Sequence, residues 1–132
     1  MARKEVEIKI EDGRDAGKVF NVKEMPAMQM DKWVTRALLV LGKAGMNISV
    51  LNAMDIEKIL SALSKADYEE TESLLKEMLE CCSFQKDGVS VVMKESMVDS
   101  VIEDWTTVFR LRVEAIKLNL GFLEQDVEST SK

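Results

Sequence analysis

The stretch from Glu24 to Ile48, EMPAMQMDKWVTRALLVLGKAGMNI, leaves this chain the fewest choices. Pro26 suits the first turn of a helix, where a missing N–H has no intrahelical partner to lose. From Met30 onward, at about 100° per residue, Met30, Trp33, Val34, Ala37, Val40, Leu41 and Ala44 share one face. Gly45, after Lys43 in the last turn, is a C-terminal stop. The spacing predicts a helix over 27–45 with a broad apolar face that must be buried. Its opposite edge carries Lys32, Arg36 and Lys43, with Leu39 among them.

The rest of the chain must cover that face. Residues 5–23 read as a β-hairpin: Val6, Ile8 and Ile10 alternate with charged residues, and Val19, Phe20 and Val22 form a return strand. A lone hairpin is marginal in water, so it must lean on helices or on another chain. In the connection EDGRDAG, Glu11, Asp12 and Asp15 lack the ligand spacing of a calcium loop and read as a solvated turn.

Downstream, Asn52 or Asp55 caps a helix over 53–65 with Ile56, Ile59, Leu60 and Leu63 as its stripe. Asp67-Tyr-Glu-Glu70 opens another, over 68–84, with Leu74, Leu75, Met78, Leu79, Cys81 and Cys82 inward and an acidic outer face. Lys86-Asp87-Gly88 is a turn, and Val89, Val91 and Val92 look extended. Ser96 caps the longest helix, over 97–123, and 124–132 is a polar tail. The expected fold is mainly α (α+β): one domain over 1–123, with an N-terminal β-hairpin followed by a bundle of about four helices, the last one longest.

That last helix has two apolar faces. Val98, Ile102, Trp105, Phe109, Val113, Ile116, Leu120 and Leu123 lie on one; Leu111, Ala115, Leu118 and Phe122 line another. Either the helix is central, or the second face meets another copy of the chain, which makes these four the candidate oligomer interface. Arg112, at the edge of the first face, calls for a carboxylate or an aromatic ring within the chain, or else a ligand.

Composition removes several classes of function. The formal net charge is −6, from 18 basic and 24 acidic residues, with no basic cluster, so nucleic acid is not an expected partner. No apolar run reaches the ~18 residues of a membrane span. The N-terminus MARKEVEIKI lacks the apolar core of a signal peptide, so the expected location is the cytoplasm where the chain is made. Cys81 and Cys82 are adjacent, which suits two buried thiols rather than a staple. There is no histidine, which removes histidine triads and most transition-metal sites. Neither GxGxxG nor a P-loop is present. No enzymatic activity, cofactor or metal is expected. Methionine, at nine residues, is the unusual count. Met25, Met28 and Met30 cluster at the entry to the first helix and, with Leu39, are the candidate partner-binding residues, because methionine adapts to varied surfaces.

Three motifs resemble one family. The hairpin runs into Glu24-Met25-Pro26-Ala27 and then Lys32-Trp33; Arg36-Ala37-Leu38-Leu39 leads to the Gly45 exit; and FRLRVEAIKLNLGF closes the chain, with Asn119 where a histidine is usual. In order and spacing they resemble the tail assembly chaperones of long-tailed, siphovirus-type bacteriophages. The resemblance implies a non-enzymatic late protein of the host cytoplasm, absent from the finished virion. It would bind the tape measure protein and the major tail tube protein, as a homo-oligomer, alongside a longer form made by ribosomal frameshifting. The competing class is a small head–tail connector or other structural tail component.

Overall fold

A computed structural model describes residues 3–43 and 67–130; the helix expected over 53–65 lies outside them. Two strands, β1 (Glu5–Lys9) and β2 (Val19–Lys23), pair antiparallel, with Ile8 opposite Phe20 and Val6 opposite Val22. Helix α1 spans Ala27–Lys43, and its first bond runs from the Met30 N–H to the Pro26 carbonyl at 2.9 Å. Helix α2 (Tyr68–Leu79) starts at Asp67, whose carboxylate accepts from the Glu69 N–H at 3.0 Å. Strands β3 (Cys82–Lys86) and β4 (Val89–Val92) follow, then helices α3 (Glu95–Val101) and α4 (Trp105–Thr130).

The fold is therefore α+β, with four described helices against a four-stranded antiparallel sheet of order β1-β2-β3-β4, and not a hairpin followed by a helical bundle. The expected helix over 68–84 ends at Leu79, and the second cysteine opens a strand. The reason is pairing. Cys82 stands opposite Val22 and Phe84 opposite Phe20, so β3 completes a row of side chains already set by the N-terminal hairpin. The Phe20 and Phe84 rings lie 5.5 Å apart, in the range of favourable tilted aromatic pairs. Asp87 and Gly88 adopt φ of 51° and 78°, the two-residue turn that matches strand twist. One face of the sheet (Ile8, Phe20, Val22, Cys82) is buried; the other carries Glu7, Asn21, Ser83 and Gln85.

The helix expected over 97–123 is broken. Ile102 leaves helical geometry at φ −106°, ψ 129°, and a new helix begins at Trp105. Ser96 does not cap α3, which starts two residues earlier than expected, at Glu95 with Lys94 as its N-cap. The polar residues assigned to a tail continue α4 to Thr130; Glu, Gln and Val carry no helix-stopping signal.

The core forms where α4 packs on α2 and β2, and α1 on α2. Trp33, Ala37 and Val40 of α1, Leu74 and Met78 of α2, and Leu111, Ala115, Ile116 and Leu120 of α4 are buried there. The Trp33 indole donates to the Leu74 carbonyl at 3.0 Å, so the largest buried side chain also links two helices.

Candidate partner-binding surfaces

The break before α4 is made by the β1–β2 loop. Asp15, predicted in a solvated turn, is fully buried. Its carboxylate accepts from the Glu103 and Asp104 N–H groups, each at 2.9 Å, and from the Thr107 hydroxyl at 2.7 Å, while Lys18 pairs with it at 2.7 Å. Burial pushes the Asp15 carboxyl upward; Lys18, the backbone of Glu103, Thr107 and the backbone of Asp104 outweigh it and hold the group well below the usual carboxylate range. A carboxylate from another element thus binds the two N–H groups immediately ahead of α4, where the helix's positive end lies. Asp104 answers from the other side: it takes the Arg14 Nε–H at 2.6 Å and the Arg14 backbone N–H at 2.8 Å. Gly13 permits this approach, because a Cβ there would lie 2.7 Å from an Asp104 oxygen and its φ is +80°.

A second polar link holds the entry to α1. Asn119, buried on α4, accepts from the Met25 N–H at 2.8 Å and donates to the Ala115 carbonyl at 2.8 Å. Met25 is thereby held in the core and is not available to a partner. Met30 is half-buried. Met28 and Leu39 are exposed, eleven positions apart and so on nearly the same side of α1. The basic edge between them is largely occupied. Arg36 pairs with Glu77 and donates to Ser73 Oγ at 3.2 Å, and Lys43 pairs with Glu70 at 3.0 Å, so the acidic face of α2 answers it.

The four residues assigned to an oligomer interface are placed differently. Leu111 and Ala115 are buried within the chain and cannot meet a second copy, and Leu118 is half-buried; the Phe122 side chain lies outside the described set. The bare apolar surface of α4 belongs instead to the face expected to be core. Ile116 and Leu120 on that face are buried, but Trp105 is 77% exposed and Phe109 47% exposed. Periodicity reports the angle of a side chain about the helix axis and nothing about how far along that axis the body reaches. On this side of α4 the cover ends short of Trp105 and Phe109.

Among the described residues Arg112 makes no ion pair, although Glu72, Glu95 and Tyr68 lie around it. Its Nε is buried without a hydrogen-bond partner, and it lines a cavity of about 430 Å³ with Tyr68, Glu72, Leu75, Glu95 and Val108. Burial lowers its pKa; Tyr68, Glu72 and Glu95 oppose the shift. Cys81 and Cys82 are free thiols, half-buried and buried. Among the described residues no helix is long and apolar enough to cross a membrane.

The geometry is that of a scaffold with exposed apolar side chains on two helices and a basic edge paired within the chain. Residues 16–126 match the family described as phage tail assembly chaperone protein, TAC. The chain belongs to that family. No curated protein and no solved structure matches it. The match covers everything from the β1–β2 loop into the last turns of α4. The match begins one residue after Asp15, so the clamp residues Gly13, Arg14 and Asp15 lie just ahead of it; the family implies tail-related proteins as partners.

Proposed function

We propose that this chaperone acts without catalysis by binding the tape measure protein and keeping its apolar helices soluble while tail tube subunits are recruited, and that it stays behind in the host cytoplasm. The observation that carries this reading is the bare half of the α4 stripe, Trp105 and Phe109, spaced i, i+4. Tryptophan is the side chain most enriched among interface hot spots, and two aromatic rings one turn apart suit an amphipathic helix laid across them. Met28 and Leu39 on α1 are a separate pair of exposed apolar side chains available to such a partner.

Co-expression with the tape measure protein of the same phage tests this. The wild-type chain should carry that protein into the soluble fraction, and Trp105→Ser with Phe109→Ser should not. Solubilisation unchanged by the double substitution would place the site elsewhere; no solubilisation by the wild-type chain would reject the reading. Mass spectrometry of purified particles separates it from a structural connector, which remains in the virion.

A further inference from the structure

The two edges of the sheet are built differently. β1 carries Glu5, Glu7 and Lys9, and charges of this kind keep an edge strand from pairing with its own copy. β4, Val89-Ser-Val-Val92, carries none, and Val89 is 60% and Val92 40% exposed. The two-residue Asp87–Gly88 turn makes Lys86 and Val89, and then Phe84 and Val91, the pairs that exchange ladder bonds. Ser90 therefore directs both its N–H and its C=O away from β3. Val92 also turns its N–H outward, but its carbonyl accepts from the Lys94 N–H at 2.8 Å, which closes the edge there.

We infer that β4 is a self-association edge, pairing antiparallel with β4 of a second copy about a two-fold axis at Ser90 and doubling the sheet. In this register the two Ser90 residues exchange N–H···O bonds. Val89 of each copy stands opposite Val91 of the other on the core side of the sheet, so the exposed valine is covered. The argument for a second copy, rather than some other strand, is that this one register satisfies itself in both hydrogen bonding and charge. Asp87 and Lys94 are exposed and make no ion pair among the described residues; in this register Asp87 of each copy falls opposite Met93 of the other, one position from its Lys94 and within reach of that long side chain. Pairing through β1 about its central residue would instead set the two Glu7 carboxylates opposite each other. A four-residue edge buries far less than the ~800 Å² per partner of a stable interface, so the dimer is weak and concentration-dependent. The inference does not depend on which tail protein is bound.

Sedimentation velocity from about 10 µM to about 1 mM, the range in which so small an interface populates, should show monomer giving way to dimer. Ser90→Pro removes an outward N–H and no β3–β4 ladder bond, and Val89→Lys places like charges across the axis; both should abolish the shift with an unchanged circular dichroism spectrum. The register has its own test that needs no loss of function. Under mild oxidation, Val89→Cys mixed with Val91→Cys should give a disulfide dimer at least about tenfold more abundant than either variant alone, because only the mixture sets the two sulfurs in a directly opposed pair. A wild-type chain that stays monomeric throughout, or a mixture that cross-links no better than its components, overturns the inference.

Discussion

The Asp15 carboxylate and the Thr107 hydroxyl meet at 2.7 Å although 92 positions separate them in the chain. The contact joins the tip of the N-terminal hairpin to the first turn of the last helix, and it accounts for the helix break at Ile102. Asp15→Ala should destabilise the chaperone by about 3 kcal/mol, because several buried donors lose their acceptor and each such loss costs about 1–3 kcal/mol. Asp15→Asn, which keeps an acceptor oxygen, should lose less. Urea unfolding of the two variants gives the comparison, and equal losses would mean that the charge alone matters.

The same group sets an acid sensitivity. Its folded pKa lies below the ordinary carboxylate value, so its contribution is complete above about pH 5, a unit past the unfolded value, and is lost as pH falls toward the folded value. Unfolding free energy should therefore rise with pH between about 2 and 5, and Asp15→Asn should flatten that part of the profile. A parallel slope in the variant would assign the acid sensitivity to other carboxylates.

Asn119→Ala should cost about 2–3 kcal/mol, since it leaves the Met25 N–H buried without a partner and opens a small cavity. Faster hydrogen exchange should appear at the Met25 amide before it appears in α2. Exchange that rises equally everywhere would argue against a local tie.

Trp105 and Leu111 lie on the same helix and should behave oppositely. Trp105→Ala should change stability by no more than about 0.5 kcal/mol, as exposed substitutions do. Leu111→Ala should cost about 2–5 kcal/mol, as buried leucines do. Thermal unfolding of both variants decides the matter; a large loss at Trp105 would make it part of the core.

Burial pushes the Cys81 thiol up to about 11, with Glu77 and Glu80 adding to the shift and the Asn119 amide opposing it; the Cys82 thiol is pushed higher still. Both should resist thiol reagents at about pH 8, where a free cysteine reacts readily, and both should label once urea is added. Rapid labelling of either in the folded protein would place it at the surface.

Much of the local structure was legible in the residues. Alternation at Val6, Ile8 and Ile10 marks β1, and the 3.6-residue rhythm of Trp33, Ala37 and Val40 marks the buried face of α1. Asp87-Gly88 beside Val89 was a hairpin signal, but its first strand was concealed, because Cys81 and Cys82 also continue the helical spacing of Leu74 and Met78. Short apolar runs fit both periods. The candidate sites were less legible: Met25 is held in the core by Asn119, Leu111 and Ala115 are core residues, and Trp105 and Phe109 are bare.

What the sequence by itself determined is rhythm: where the chain is apolar every second or every third to fourth residue, and where Asp-Gly and Pro26 punctuate it. Only the tertiary structure decided which of two rhythms Cys82–Lys86 follows, because β2 offers it a partner row of Val22 and Phe20. It also decided where the last helix begins, because Asp15 binds N–H groups that nearby residues would otherwise have taken. And it decided which part of an apolar stripe stays bare, since cover along a helix axis is supplied by neighbours and has no signature in the stripe itself.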